Sequence, residues 1–466
     1  MQNEEMNGMT GHGSDDGRRG GHGDLTEKRA GEKTGGERTR VGRKDPGAGR
    51  REGRRALIPL GVLRGLAGPG LFSSLGVFFP LIAAAGGGSL GSLSLSVSLA
   101  SVAGACFLPF AGRLYARYDF RRVTLLGALV MTVAYALYAV SPDPVWRAML
   151  SLPLGCGMAM LVNLMAPCYL RLCGADTGSS LGFLVALSGL VGAIYQPLLA
   201  RALAAWGWRV AYLLFGLGAL AVMGAATLLL PPVPREDGAH PSPQTPERAS
   251  DDADAAVGVK NDTDAYGADD REMPPGITRA GAFFSLFLFQ GVITGFSMFH
   301  QHFSTFAAAA LLPHRTMTAA LTLSMLTAAV GALLLGFFTR RFGVGATGIG
   351  VLLLGGVSVL LFGFVGGRTV GFLIASALHG AASGAIGVTV PAAARSVYRK
   401  EEYSRALSRV MVSSPLFTLL FMQIYGVIYD RTGDFGAALL LLLASLVLTA
   451  AVWARAFSAR RERRRA

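Results

Sequence analysis

Residues 112–122 read GRLYARYDFRR and stand between two apolar runs, SLSLSVSLASVAGACFLPFA (92–111) and VTLLGALVMTVAYALYAV (123–140). Arg113, Arg117, Arg121 and Arg122 surround a single acid, Asp119. Such a cluster suits a phosphate or nucleic-acid contact, or a short loop that keeps two apolar helices on one side of a bilayer. The flanks decide. Each approaches the roughly 20 helical residues needed to cross a ~30 Å hydrocarbon layer. So short a loop has no room for nucleic acid, and its arginines read as a topology marker.

The rest of the chain agrees. Its 466 residues are 52% hydrophobic and 15% charged, where a soluble chain carries about 25% charge. Residues 1–55 alone hold 13 of the 43 Lys/Arg and 10 of the 29 Asp/Glu, so the remainder is poorer still. A soluble basic binder is excluded despite the net charge of +14. Composition predicts an all-α polytopic membrane protein with lipid around it and no nucleic-acid partner.

Apolar segments fall near 60–84, 91–111, 123–141, 147–170, 179–200, 208–230, 280–302, 317–337, 344–365, 369–392, 406–428 and 435–456. Continuous runs of this length are helices, because an isolated strand would leave backbone groups unpaired in lipid. They predict twelve transmembrane helices in two six-helix bundles, at 57–232 and 279–457. Residues 1–56 and the acidic and Pro/Gly-containing segment 233–278 are expected to be disordered and cytoplasmic, and 458–466 is expected to be a basic cytoplasmic tail.

Twelve basic residues lie in the loops that are internal if both termini are cytoplasmic, against six in the opposite loops. The tail ARAFSARRERRRA adds six to the inner side. This bias predicts a multi-pass protein of a bacterial cytoplasmic membrane with both ends inside. The N-terminal residues lack the apolar core of a secretory signal. Cys106, Cys156, Cys168 and Cys173 lie in or beside apolar segments without C-x-x-C spacing, so neither a disulfide framework nor a metal site is expected.

The halves also correspond at an offset of 224: Gly112 with Gly336, Pro167 with Pro391, and Arg171 with Arg395. An internal duplication gives two bundles related by an axis along the membrane normal, an arrangement suited to alternating access.

On these features the sequence resembles the major facilitator superfamily. Its loop between the second and third helices follows Gly-x-Leu-(small)-Asp-Arg-x-Gly-Arg-Arg/Lys, which aligns with Gly112, Leu114, Arg117, Arg121 and Arg122. Two departures matter, Ala116 in place of the usual acid and Asp119 in place of the second glycine. In the second half GFFTRRFG puts Gly336, Arg340 and Arg341 on the same motif, with Arg340 at the acid position. AWGWRVAYLLFG (205–216) and GVIYDRTGDFG (426–436) are typical of the superfamily as well. GVFFPLIAA, at 76–84, looks like the monocarboxylate and oxalate–formate antiporter branch. The resemblance implies that the loop motif acts as a conformational latch, with Asp119 pairing locally to Arg117 or Arg122.

It also implies that spans one, four, seven and ten face the cavity. Their deep polar groups, Ser73, Ser74, Asn163, Gln290 and His379, are the candidates for substrate contact, with Gln196 and Gln423 at the sides. Arg64, near the inner end of span one, is the most plausible anion-attracting charge; the competing reading is a snorkelling anchor. His300, Gln301 and His302 suit an outer polar gate, and the two histidines at i and i+2 do not share a face for a metal. The competing reading for every candidate is hydrogen bonding between helices.

No Asp or Glu falls in the central part of a span, which disfavours a carboxylate proton relay. Were protons coupled, His379 would carry them, since imidazole's reference pKa is about 6.5. No catalytic spacing and no Gly-rich loop before Lys-Ser/Thr is present, so no enzyme and no cofactor is expected. The reading is a monomeric secondary transporter of a small organic solute, with a monocarboxylate or similar anion preferred and protons or a counter-transported anion as partners. A hydrophobic-compound efflux permease and a non-transporting receptor or scaffold are the alternatives.

Overall fold

A computed structural model describes residues 46–172, 177–231 and 279–458, which belong to one compact unit. Most of the two expected tails and the linker expected at 233–278 lie outside the described residues, as does Cys173. The first helix already begins at Pro46, inside the segment expected to be disordered. A proline preset for the first helical turn favours that start, and Gly47, Gly49 and Gly53 oppose it.

Among the described residues ten helices are long and apolar enough to cross a membrane: α1 (Arg55–Ala84), α2 (Leu90–Arg117), α3 (Phe120–Val140), α4 (Pro144–Leu164), α5 (Phe183–Leu229), α6 (Arg279–Ala309), α7 (His314–Val365), α8 (Thr369–Val397), α9 (Arg405–Thr432) and α10 (Gly436–Phe457). Two of them differ from the expected segments, because α5 and α7 each run through a region where the sequence suggests a loop. The chain instead turns at single glycines, Gly207 (φ 75°, ψ 173°) and Gly343 (φ 82°, ψ 163°). Both lie in backbone space that a Cβ disfavours, so one glycine does the work of a loop. Gly343 follows Asp119 by 343 − 119 = 224 residues, the repeat offset, so the two halves break their helices at equivalent positions.

The outer surface is apolar. On α3, Leu126, Leu129, Val133 and Leu137 are exposed, while Thr124, Ala128, Met131, Thr132 and Tyr135 are buried. A helix in water would turn that leucine–valine stripe inward; here it belongs against lipid.

Small residues set the closest contacts. A Cβ on Gly155 of α4 would lie 2.0 Å from the Ala100 carbonyl oxygen of α2, and one on Gly380 of α8 would lie 2.0 Å from that of Ser324 in α7. Gly61 and Gly65 likewise meet Leu187 and Val191 of α5. Backbones approach this closely only where one partner lacks a side chain.

Below, the face where α1 begins is called proximal, and the face where α1 ends and α2 begins is called distal.

Candidate functional site

Two π-helical turns shape the first half. One spans Leu66–Phe72 in α1 and the other Ala159–Leu164 in α4. Pro69 has no N–H to give, so a regular ladder through it is short of a donor. The Ser73 N–H reaches the carbonyls of Gly68 and Gly70, and the skipped Pro69 carbonyl takes the Gln196 side-chain amide at 3.4 Å. In α4 the Arg64 guanidinium donates to the carbonyl of Val162, inside the second π turn. Asn163, the next residue, is exposed. Such turns free backbone carbonyls for other partners, which is why they recur at functional sites.

Ser74 is fully buried two residues beyond the α1 turn. Its hydroxyl donates to Leu71 O at 2.9 Å and bonds the Tyr135 phenol at 2.8 Å, which in turn lies 3.4 Å from the Tyr195 phenol. Phe78 and Tyr212 stack beside them at 3.7 Å between centroids. Ser73 is half-buried at the start of the regular helix.

In the second half Gln290 is buried and donates to Ser414 Oγ at 2.8 Å and to Thr294 Oγ1 at 3.3 Å, while its Oε1 has no protein partner. His379 donates through Nε2–H to the Phe296 carbonyl at 2.9 Å. The carbonyl can only accept, which assigns that tautomer and leaves Nδ1 bare. Phe296, Phe299, Phe303 and Phe362 enclose the ring. Gln423, on α9, is half-buried with its amide nitrogen unpartnered.

The gate candidates separate into three different environments. His300 donates through Nδ1 to Ser297 O at 2.6 Å. His302 is fully buried among Phe79, Phe299, Tyr425 and Phe435 with both ring nitrogens unpartnered. Between them, Gln301 crosses to α1: its Oε1 accepts from Gly76 N–H at 2.8 Å and its Nε2 donates to Phe72 O at 3.1 Å. Ser304 donates to the Gly76 carbonyl. A second cross-link lies nearby, where Asp430 of α9 accepts from the backbone N–H groups of Leu90 and Gly91, both at 2.8 Å. These bonds fasten the distal ends of α1 and α2 to those of α6 and α9.

The proximal loop has a different character. Asp119 caps α3, accepting from the Arg122 backbone N–H at 3.2 Å, so its link to Arg122 runs through the main chain. Arg121 donates to the Leu230 carbonyl at the end of α5. Arg117 lies over the Tyr118 ring at 6.0 Å. Gly112 and Gly336 have open space where a Cβ would stand, and Arg340 and Arg341 are exposed. On the same face Arg279 pairs with Glu402 at 3.1 Å. In the loop after α8, burial pushes the Tyr398 phenol up, Glu402 adds to the rise and Arg279 opposes it. The side chains of Pro167 and Arg171, which carry two of the three repeat matches, lie outside the described side chains.

Reasoning from sequence missed Tyr135, Tyr195, Ser414 and Asp430. A tyrosine reads as apolar in a span, and Asp430 reads as a solvated helix end. The signal present was the pairing of α-helical spacing with hydroxyls on the buried face. Among the described residues no group of three or more His, Cys, Asp or Glu could hold a metal.

The family profile described as Major Facilitator Superfamily matches residues 65–313, more than half of the chain. No curated protein matches the sequence. Solved structures share the fold at low identity. A point mutant of the nucleoside transporter NupG superposes with a TM-score of 0.67 at 12% identity, covering 87% of this chain and 100% of that one. The unmutated NupG gives 0.64 at 13% identity, covering 87% and 99%. A mutant of the peptide transporter POT, in complex with alafosfalin, gives 0.60 at 14% identity, covering 87% and 94%.

Proposed function

Because the chain belongs to the major facilitator superfamily, we propose that this membrane transporter moves a small organic anion, a monocarboxylate or a close relative, by alternating access. The observation that carries the reading is Arg64. Arg64 lies just before the π turn of α1, and its guanidinium is bound to Val162 O within the π turn of α4, where the next residue, Asn163, is exposed. A cation held against a helix by one carbonyl keeps further donors for a carboxylate. Ser73, further along α1, and the buried amides of Gln196 and Gln290 would then line the path. NupG and POT carry chemically different cargo, so the shared fold does not choose between solutes.

The breaks at Gly207 and Gly343 support twelve passes, since each divides one of the ten long helices into two arms. The arms group into two bundles of six, before residue 232 and after residue 279. The basic residues of the proximal loops support a cytoplasmic position for that face and for both termini. On that assignment the bonds at the distal ends of α1, α2, α6 and α9 close the outer side. The energy comes from a solute or ion gradient, with protons or a counter-transported anion as partner.

The test is uptake of labelled small carboxylates into proteoliposomes, with and without an imposed proton gradient and with internal unlabelled acid for counterflow. Saturable uptake that falls at least tenfold in Arg64→Ala and less in Arg64→Lys is expected. Absence of uptake and counterflow across a panel of acids, with uptake of neutral solutes instead, would reject the anion assignment.

A further inference from the structure

Arg147, in the first turn of α4, is 1% exposed, and its hydrogen bonds go to neutral acceptors. Nη1 donates to Ser141 Oγ at 3.2 Å and to Ser141 O at 3.4 Å, while Nη2 donates to the Gly87 carbonyl between α1 and α2. Asp143, one turn earlier, is exposed and caps α4 by accepting from the Trp146 N–H at 2.9 Å. Among the described residues the ion pair found is Arg279–Glu402, on the proximal face. A guanidinium taken out of water calls for a compensating negative charge.

The side chain borders a cavity of about 10 Å³, room for a guest of a single heavy atom. Its polar lining is Arg147, Ser96 of α2, Tyr138 of α3 and Tyr212 of α5, and apolar side chains of α1 and α2 complete it. Arg147 Nε and Ser96 Oγ, the latter beside the Tyr138 phenol, have no hydrogen-bond partner in the protein. Tyr138 is already committed. Ser151 gives its own proton to the Arg147 carbonyl at 2.8 Å, so the phenol donates to Ser151 Oγ at 2.6 Å. An Nε–H can only donate and a serine hydroxyl is able to, so the cavity suits a guest that accepts from both.

We propose that this cavity is a halide site, with chloride as the counter-charge of Arg147 and with Arg147 Nε–H and the Ser96 hydroxyl as its donors. Three features select a monatomic anion. The guanidinium favours negative charge over a neutral guest, and its hydrogen bonds to an ion are stronger than those to water. The volume excludes carboxylates and phosphate, which carry three or more heavy atoms. The apolar remainder of the wall keeps competing water out and strengthens the attraction. Because the lining comes from α1, α2, α3, α4 and α5, bound chloride ties the distal ends of five helices of the first half together. The site does not depend on the transport reading, whose anion lies at Arg64.

The experiment uses the full chain, purified in detergent with gluconate as the only anion, and reads binding of radioactive chloride by scintillation proximity. Saturable binding of about one chloride per chain is expected, displaced by bromide and not by acetate or phosphate at about tenfold excess. The melting temperature should rise as chloride replaces gluconate, because a ligand of the folded state stabilises it by mass action. Arg147→Gln should abolish binding. Ser96→Ala should weaken it by about tenfold or more, the scale of one hydrogen bond to a charged group, and it decides the matter if the glutamine variant does not fold. A monodisperse wild type without saturable binding, undiminished binding in Arg147→Gln, or unchanged affinity in Ser96→Ala would overturn the site. Displacement by acetate as readily as by bromide would overturn the halide assignment. Solute uptake without chloride binding rejects the site alone, and chloride binding without uptake of any solute leaves it standing.

Discussion

The side-chain carboxamide of Gln301 spans the backbone of Gly76, accepting from its N–H at 2.8 Å and donating to the Phe72 carbonyl at 3.1 Å. Residues 72 and 76 are the pair that an α-helix would join directly. Gln301 therefore bonds both members of that pair, and it does so from the opposite half of the chain. A glutamine suits the task because one planar group carries both a donor and an acceptor.

Gln301→Leu should weaken this closure while leaving the fold intact. Two backbone groups lose their partner, which costs about 1–3 kcal/mol when the groups remain buried. The distal ends are expected to open more often, read as faster labelling of a cysteine placed at the buried Thr305, whose hydroxyl makes no bond. Labelling as slow as in the parent would show that the amide does not hold the gate.

Gly76→Ala should act more strongly than Gln301→Leu. An added Cβ would lie 1.8 Å from the Gln301 carbonyl oxygen, so the two backbones could not meet. Uptake should fall sharply while solubilised protein stays monodisperse. Normal uptake kinetics in this variant would mean that the contact is dispensable.

Ser74 and Tyr135 should prove coupled. Their hydroxyls bond at 2.8 Å in a fully buried position. In a double-mutant cycle with Ser74→Ala and Tyr135→Phe, the coupling energy should be about 1 kcal/mol. Thermal unfolding in detergent is the measurement, and strictly additive effects would argue against a shared bond.

Gly207→Ala and Gly343→Ala should each destabilise by about 1–3 kcal/mol, the cost of placing a Cβ at positive φ with extended ψ, a region that is essentially glycine's own. Gly218 has open space around it and no unusual backbone angle, so Gly218→Ala is the control and should be neutral or mildly stabilising. Equal melting temperatures for all three variants would contradict the turn geometry.

The membrane helices were legible because length and apolarity leave few alternatives at this scale. The two fused helices were not, because the sequence cannot reveal that Gly207 and Gly343 turn the chain without a loop. Polar candidates within one span, such as Ser74 and Gln290, could be picked out as isolated hydroxyls and amides on apolar helices. Their partners could not, since Tyr135 and Ser414 belong to other helices and look ordinary in their own. Asp430 illustrates the limit most clearly: its chemistry depends on a helix start 340 residues away.

The π turn in α1 also makes that helix unusually tolerant of a change in length. A π turn holds one residue more than an α turn, so deleting one residue within 66–72 would restore regular winding without breaking the helix. The cost would fall on orientation. Everything before the deletion would rotate by about 100°, one residue's share of a 3.6-residue turn, and Arg64 would swing away from the Val162 carbonyl. The extra residue thus works as a phase setting: it aims the proximal half of α1 at α4, while the distal half stays directed at Gln301.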